Sequence, residues 1–396
     1  MDKYLELLSS SLHRERPDDK YVAVISNESG DLDSVCSATV LAFHLTEYTG
    51  VPHIPVLAFK RKELSLRTET LHAFEQQGLN PTKLIFSDDI ESHEQQISTV
   101  ILVDNHFINV SPLSNLQDKI RSIIDHRQYE LPEGHYSETN VDMTIVTVGS
   151  CATLIAEKIF YENPLFDDKK ALSLLRGCIL LDTANMSPKA MKVTDKDEMI
   201  LTEIERRLSE NQSSRAQLYS DLETAKEDTS GFDCTMLIRK DLKTINWPGK
   251  EPFPMAVSVI PKQDCFSILN RSDFNEHMEK LTNPWDKGYS LVILLGSGDP
   301  YDIMLLGPHF RAFRLEILEA LLSLQDAKMK QIKLPEIQQR NPALTQDFLS
   351  RHGIEYLTFE NKNYSRKKLM PIIKEVIAKV LDKKTYDSKH VLITEV

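Results

Sequence analysis

The chain has 396 residues, a formal net charge of −12, 41% hydrophobic residues and 27% charged residues. These proportions exclude a disordered chain and leave room for two ordinary domains with sizeable cores. The acidic balance excludes a general nucleic-acid binder, which presents a basic face. No apolar run approaches the length of a membrane span.

In chain order, Met1-Asp2-Lys3-Tyr4-Leu5-Glu6 has no basic region ahead of an apolar one, so no secretory signal is expected and the chain is read as cytoplasmic. Tyr21–Ser26 reads as a buried strand, followed by a polar loop and a helix from about Ser34 to Tyr48. Thr99–Val103 and Ser122–Ile124 are further strands; Ser150–Phe160, with Ser150 as its N-cap, and Lys169–Leu181 read as helices. This alternation predicts βαβ units and a doubly wound, mainly parallel sheet. The polar stretch from Glu203 to Asp228 reads as a helix running into an interdomain linker. Beyond it come strands Ala256–Ile260, Ser290–Leu295 and Ile303–Leu306, then helices Ala312–Leu324 and Leu369–Leu381. Pro371 is placed in the first turn of that last helix, where proline is tolerated. The expected organisation is an α/β catalytic domain over 1–210, a linker over 211–228 and a smaller α/β domain over 229–396, with the active site in the cleft between them.

Four apolar runs end in acidic residues or histidine: Asn27-Glu28-Ser29-Gly30-Asp31-Leu32-Asp33, Val103-Asp104-Asn105-His106, Ile124-Asp125-His126-Arg127 and Leu181-Asp182-Thr183. An aspartate beside a buried element is costly unless a cation or hydrogen bonds compensate it, so four such ends point to a metal site. In doubly wound sheets ligands bind beyond the carboxyl ends of the strands, where Asp31, Asp33, Asp104 and His126 fall; Asp182 follows a helix and must be brought in by packing. Ser365-Arg366-Lys367-Lys368 places three cations just before a helical pattern, and Lys240 is a further candidate. Two divalent cations would balance Asp31, Asp33, Asp104 and Asp182, leaving Arg127, Lys240, Arg366, Lys367 and Lys368 to meet a polyanion. Gly149-Ser150-Cys151 runs into a helix start that suits either an anion or an ordinary cap. Cys36, Cys151, Cys178, Cys234 and Cys265 are never spaced CxxC and read as reduced thiols. No histidine partner marks Cys151 as a nucleophile.

These motifs, in this order, resemble the DHH phosphoesterase superfamily, which includes manganese-dependent inorganic pyrophosphatases, cytosolic exopolyphosphatases and the animal prune proteins. The resemblance spans essentially the whole chain, with Ser365-Arg366-Lys367-Lys368 matching the basic signature of the associated C-terminal domain. It implies that Asp31 binds one metal, Asp33, His126 and Asp182 the other, and that Asp104 bridges both. Asn27 stands where the pyrophosphatases have a histidine ligand, and Arg127 replaces the second histidine of the Asp-His-His signature. Both departures are similar to the exopolyphosphatase and prune branch, and asparagine as the harder ligand favours Mg2+ over Mn2+ or Co2+. The implied activity is release of terminal orthophosphate from polyphosphate by a metal-bridging water; the alternatives are hydrolysis of small substrates (pyrophosphate, tripolyphosphate, a nucleoside tetraphosphate or a cyclic nucleotide) and a prune-like protein-interaction adaptor. Asp104, His126 and Arg127 would be catalytic, with Arg127, Lys240, Ser365, Arg366, Lys367 and Lys368 on substrate. The implied partners are a polyanionic substrate, with no nucleic acid or membrane. Thr394-Glu395-Val396 fits the free C-terminal ligand of a PDZ-type domain.

Overall fold

A computed structural model describes residues 1–11, 20–108, 110–128, 141–245, 254–261, 263–284, 288–296, 301–309, 311–324, 327–361 and 366–383. The chain divides into two units, Met1–Asp228 and Thr229–Val396. Among the described residues no helix is long and apolar enough to cross a membrane.

The first unit is built on strands β1 (Tyr21–Ile25), β2 (His53–Leu57), β3 (Ile85–Phe86), β4 (Ile97–Val103), β5 (Ile120–Asp125) and β6 (Asp142–Ile145). They pair in the order β3-β2-β1-β4-β5-β6, and every pair is parallel. The order reverses between β1 and β4, the point where doubly wound sheets open a crevice at their carboxyl edge. Its helices are α1 (Asp2–Ser11), α2 (Leu32–Thr49), α3 (Thr68–Gln76), α4 (Ser87–Ile90), α5 (Cys151–Glu162), α6 (Lys169–Asp182), α7 (Asp195–Leu208) and α8 (Arg215–Glu227). Helix α2 is buried from Leu32 to Leu45 because it packs on the sheet and against α5 and α6. Its buried polar side chains are hydrogen-bonded: Asp33 to Ser37, Thr39 to the Val35 carbonyl and His44 to Glu162.

The strand at His53–Leu57, which is not among those expected from the sequence, carries Pro55, a residue that cannot donate to a sheet ladder. The carbonyls of Pro52 and Val56 accept from Val22 and Ser26 on β1. Alternation therefore turns Pro55 towards β3, whose pairing begins only opposite Val56. The missing N–H falls where no partner needs it. A second difference concerns residues 211–228, expected as a linker. They form a short turn and α8, which packs on α3 and α6 within the first unit. Buried ion pairs explain this: Arg215 at the start of α8 binds Glu205 and Glu198 of α7, and Arg176 of α6 binds Glu205 and Ser214.

The second unit carries β7 (Leu242–Ile245), β8 (Met255–Ile260), β9 (Leu291–Gly296), β10 (Tyr301–Leu306), β11 (Lys330–Gln331) and β12 (Ile354–Phe359). The sheet order is β11-β12-β10-β9-β8-β7. Only β8 and β9 run parallel; the other pairs are antiparallel. A core including Val257, Ile293, Leu305, Ile317, Leu357 and Ile373 lies on this sheet. The last helix spans Arg366–Lys383, starting earlier than expected, so Pro371 lies inside it rather than in its first turn.

Candidate metal centre

The centre forms where β1, β4 and β5 end. Strand β1 runs into Ser26 and Asn27, and the loop turns at Gly30, whose φ is 59°. A side chain at Gly30 would run into the Phe59 ring, so this left-handed, closely packed position needs glycine. Asp31 then caps α2, accepting from the Ser34 N–H at 3.1 Å. Asp33, in the first turn of α2, is buried.

Both Asp33 oxygens are held by the start of another helix. The Cys151 and Ala152 N–H groups of α5 donate to them at 2.6 and 2.8 Å. The N–H groups of Cys151 and Ala152 at this helix start therefore serve a carboxylate of the protein itself, the anion that a helix N-terminus favours. Ser150 is the N-cap residue, but its side chain makes no capping bond. Cys151 is fully buried; burial, then Asp33, Asp104 and Asp125, raise its thiol well above the usual range, so it packs rather than attacks. All five cysteines are free and buried.

Asp104 follows β4 with a φ of 52°, its N–H tied to the Ile124 carbonyl of β5. Its carboxylate is fully buried and crowded. Asn27 Nδ2 donates to Oδ2 at 2.6 Å, Arg127 Nη2 donates to Oδ1 at 2.7 Å, and His126 Nε2 lies 3.3 Å from Oδ1. Arg127 Nη1 also donates to the Asp104 carbonyl at 2.9 Å. Burial pushes the Asp104 carboxyl up to about 7, against the pull of His126. Burial works to lower His126, but Asp104 and Asp33 overcome it and raise the imidazole to about 9. The His126 Nδ1–H donates to the Val148 carbonyl at 3.0 Å, which leaves Nε2 for the cluster.

Asp33, Asp104 and His126 each offer a ligand atom within 4.8 Å of the others. Asp182, half-buried at the end of α6, joins electrostatically: burial, then Asp33 and Asp31, raise its carboxyl well above the usual range. Four carboxylates thus crowd one spot with two cationic side chains beside Asp104, an arrangement a divalent cation relieves. Oxygen donors with a single imidazole suit Mg2+ or Mn2+.

Asn27 differs from the expected ligand. Its Oδ1 accepts from the Gly30 N–H at 2.9 Å and the Ser29 hydroxyl at 2.7 Å, so the oxygen is committed to the loop and the amide N–H2 faces Asp104. Lys240 belongs to the second unit, its amine 5.6 Å from the Phe232 ring centre. Lys368 is exposed on the last helix. Ser365, the Arg366 and Lys367 side chains and Thr394-Glu395-Val396 lie outside the described residues.

Two supporting aspartates, Asp125 and Asp197, had no assigned role. Buried Asp125 accepts from the Arg127 N–H at 3.1 Å and contacts His106 Nδ1 at 2.9 Å, bracing the turn that carries His126. Asp197 is fully buried and accepts from Gly149 N–H, Thr153 Oγ1, Thr194 N–H and Thr194 Oγ1 at 2.6–2.9 Å. It pins the 148–153 turn, which supplies both the carbonyl on His126 and the N–H groups on Asp33. Thr194-x-x-Asp197 is a capping-box signature visible in the sequence.

Comparison with known proteins identifies the relatives of this chain. The DHH family N-terminal domain matches residues 21–181, and the DHHA2 domain matches residues 220–376. The Rattus norvegicus protein named exopolyphosphatase PRUNE1 is 32% identical over 396 residues, covering 96% of this chain and 80% of that protein. Its Homo sapiens counterpart is 32% identical over 391 residues, with the same coverage. A solved Methanococcus jannaschii structure, assigned to the family II inorganic pyrophosphatases, shares the fold with a TM-score of 0.53 and 19% identity, covering 90% of this chain and 99% of that one.

Proposed function

The chain belongs to the DHH family, in the branch of the PRUNE1 exopolyphosphatases, and on that basis we propose that it releases terminal orthophosphate from inorganic polyphosphate. The observation that carries this reading is the convergence of Asp33, Asp104 and His126 beside Arg127 at the carboxyl edge of the sheet. Asp31 would hold one divalent cation, Asp33, His126 and Asp182 a second, and Asp104 both, with Mg2+ favoured by the oxygen-rich donor set. When bound, the cations supply Lewis-acid polarisation of phosphoryl oxygens and acidify the attacking water.

The protein's own contribution is preorganisation. The α5 N–H groups hold Asp33, the Val148 carbonyl fixes the His126 tautomer, and Arg127 braces Asp104 through two of its five N–H donors. The remaining guanidinium donors are suited to a phosphoryl oxygen, where charge grows as the terminal bond breaks. Lys240, Arg366, Lys367 and Lys368 would neutralise the remaining phosphates of the substrate, and the Ser365 hydroxyl would hydrogen-bond them. The test is phosphate release with Mg2+ across pyrophosphate, tripolyphosphate and long polyphosphate. Higher kcat/KM on the polyphosphates is expected; a preference for pyrophosphate overturns the assignment.

A further inference from the structure

Two arginines of the segment between β2 and α3 sit over aromatic rings, and they are treated differently. Arg61 lies 4.3 Å from the centre of the Phe86 ring, and its guanidinium also donates to the Thr82 and Leu84 carbonyls and to Asp89. Both of its terminal nitrogens thus have structural partners. Arg67 lies 4.7 Å from the centre of the Phe59 ring, yet among the described residues its side chain donates one hydrogen bond, from Nη1 to the Glu63 carbonyl at 3.3 Å. Its Nε is buried without a partner. Buried donors are almost always bonded, so an orphan on a strong donor calls for an explanation.

Location supplies one. The Phe59 ring beneath Arg67 is the ring that packs on Gly30, the residue before Asp31. Glu63, Glu69 and Asp31 act on the Arg67 charge from around it. Arg67 is therefore a half-buried, preoriented cation beside the Asp31 loop, with most of its donors uncommitted. Stacking on Phe59 limits the freedom of the guanidinium, which lowers the entropy lost when it grips a ligand. A planar fork of this kind matches two phosphoryl oxygens.

We propose that Arg67 binds a phosphoryl group of the substrate from the first unit. The assignment rests on the phosphohydrolase reading for its substrate but not for its test. The experiment uses the full chain with Mg2+ and compares wild type with Arg67→Met, Arg67→Lys and the control Arg61→Met. Equilibrium binding of imidodiphosphate is measured by calorimetry, alongside KM and kcat on tripolyphosphate and the melting temperature. Arg67→Met is expected to weaken imidodiphosphate binding and raise KM by about ten- to a hundredfold, the loss of one charge-assisted hydrogen bond. Its melting temperature should stay close to wild type. Arg67→Lys, which keeps a charge without the fork, should fall between the two, and Arg61→Met should bind imidodiphosphate as wild type does. Unchanged binding in Arg67→Met overturns the proposal. So does a parallel loss of binding and melting temperature in both Arg67 variants, which makes Arg67 a structural residue. If wild type hydrolyses no phosphate anhydride, the functional reading falls while the binding comparison still decides on Arg67.

Discussion

The first unit contains two buried charged clusters made from the same kinds of residue. In one, Glu205, Arg176 and Arg215 have side chains only 5–8% exposed, and the carboxylate accepts from both guanidinium groups at 2.8–3.2 Å. Burial works against its charge, but the two arginines win and hold Glu205 below the usual range. In the other, Asp33 and Asp104 are buried, His126 and Asp182 are half-buried, and carboxylates outnumber cations. Asp104 and Asp182 are pushed up instead. The first cluster is complete without help and joins three helices. The second is incomplete, and the deficit is what a divalent cation fills.

The sharpest way to break this comparison is to remove one carboxylate charge from each cluster. Asp104→Asn deletes the group proposed to serve both cations, so phosphate release should fall by more than about a hundredfold, beyond the 10–100-fold typical of outer-shell changes. The metal-free protein should melt no lower, because a crowded charge is gone. Near-normal turnover at saturating Mg2+ would sink the binuclear reading. Glu205→Gln should do the reverse. Stripping the charge from a buried, doubly paired group costs roughly 3–5 kcal/mol, seen as a lowered denaturation midpoint, while the Mg2+ dependence of the folded fraction stays unchanged.

Asp197→Asn sharpens the contrast. An amide cannot accept all four bonds that Asp197 receives. The turn carrying the supports of Asp33 and His126 should loosen, weakening Mg2+ binding by about 10–100-fold. Calorimetric titration with Mg2+ reads this directly, and unchanged affinity would confine Asp197 to capping α7.

The clusters should also answer pH with opposite signs. Asp104 moves from the usual 3.8 to about 7 and His126 from 6.5 to about 9. A raised pKa in the fold means stability that is present at low pH and lost as pH rises through the folded value. Metal-free protein should therefore gain stability on going from about pH 9 towards 6. Glu205 is lowered, so its contribution is present above its unfolded value and lost as pH falls through the folded one. The melting temperature without metal should pass through a maximum in mild acid, higher than at pH 8 by roughly 2–4 °C, the effect of about 1 kcal/mol on a unit of this size. Added Mg2+ should flatten the alkaline side, since the cation replaces the protons.

Much of the centre was legible because its acids end β-branched runs, and β1, β4 and β5 announce themselves by those runs. Strand β2 was hidden by Pro55, which is harmless only because β3 is two residues long. The α8 segment read as a linker because its partners, Glu205 and Arg176, lie on other helices. Asp197 had a local signature, whereas Arg67 had none: its interest lies in a missing partner, which only packing exposes. The orientation of Asn27 was equally out of reach, because an amide presents an oxygen or an N–H2 according to its neighbours.

Asn27 is also where the smallest effect is expected, and where the contrast between a complete and an incomplete cluster becomes finest. Its oxygen completes the loop, through Gly30 and Ser29, while its N–H2 answers one oxygen of the incomplete Asp104. Asn27→His removes the loop bonds and offers an imidazole nitrogen, a donor that suits Mn2+ or Co2+ better than Mg2+. If the side chain at this position reaches a cation, the ratio of Mn2+-supported to Mg2+-supported activity should rise several-fold, about 1 kcal/mol by the usual rate arithmetic. If Asn27 serves only the loop and Asp104, activity should fall with every metal by the same factor and the ratio should not move. Initial rates on tripolyphosphate with each metal at saturation separate the two outcomes. Because the substitution also costs the loop its bonds to Gly30 and Ser29, a modest rise in the ratio with a lower absolute rate is the result expected.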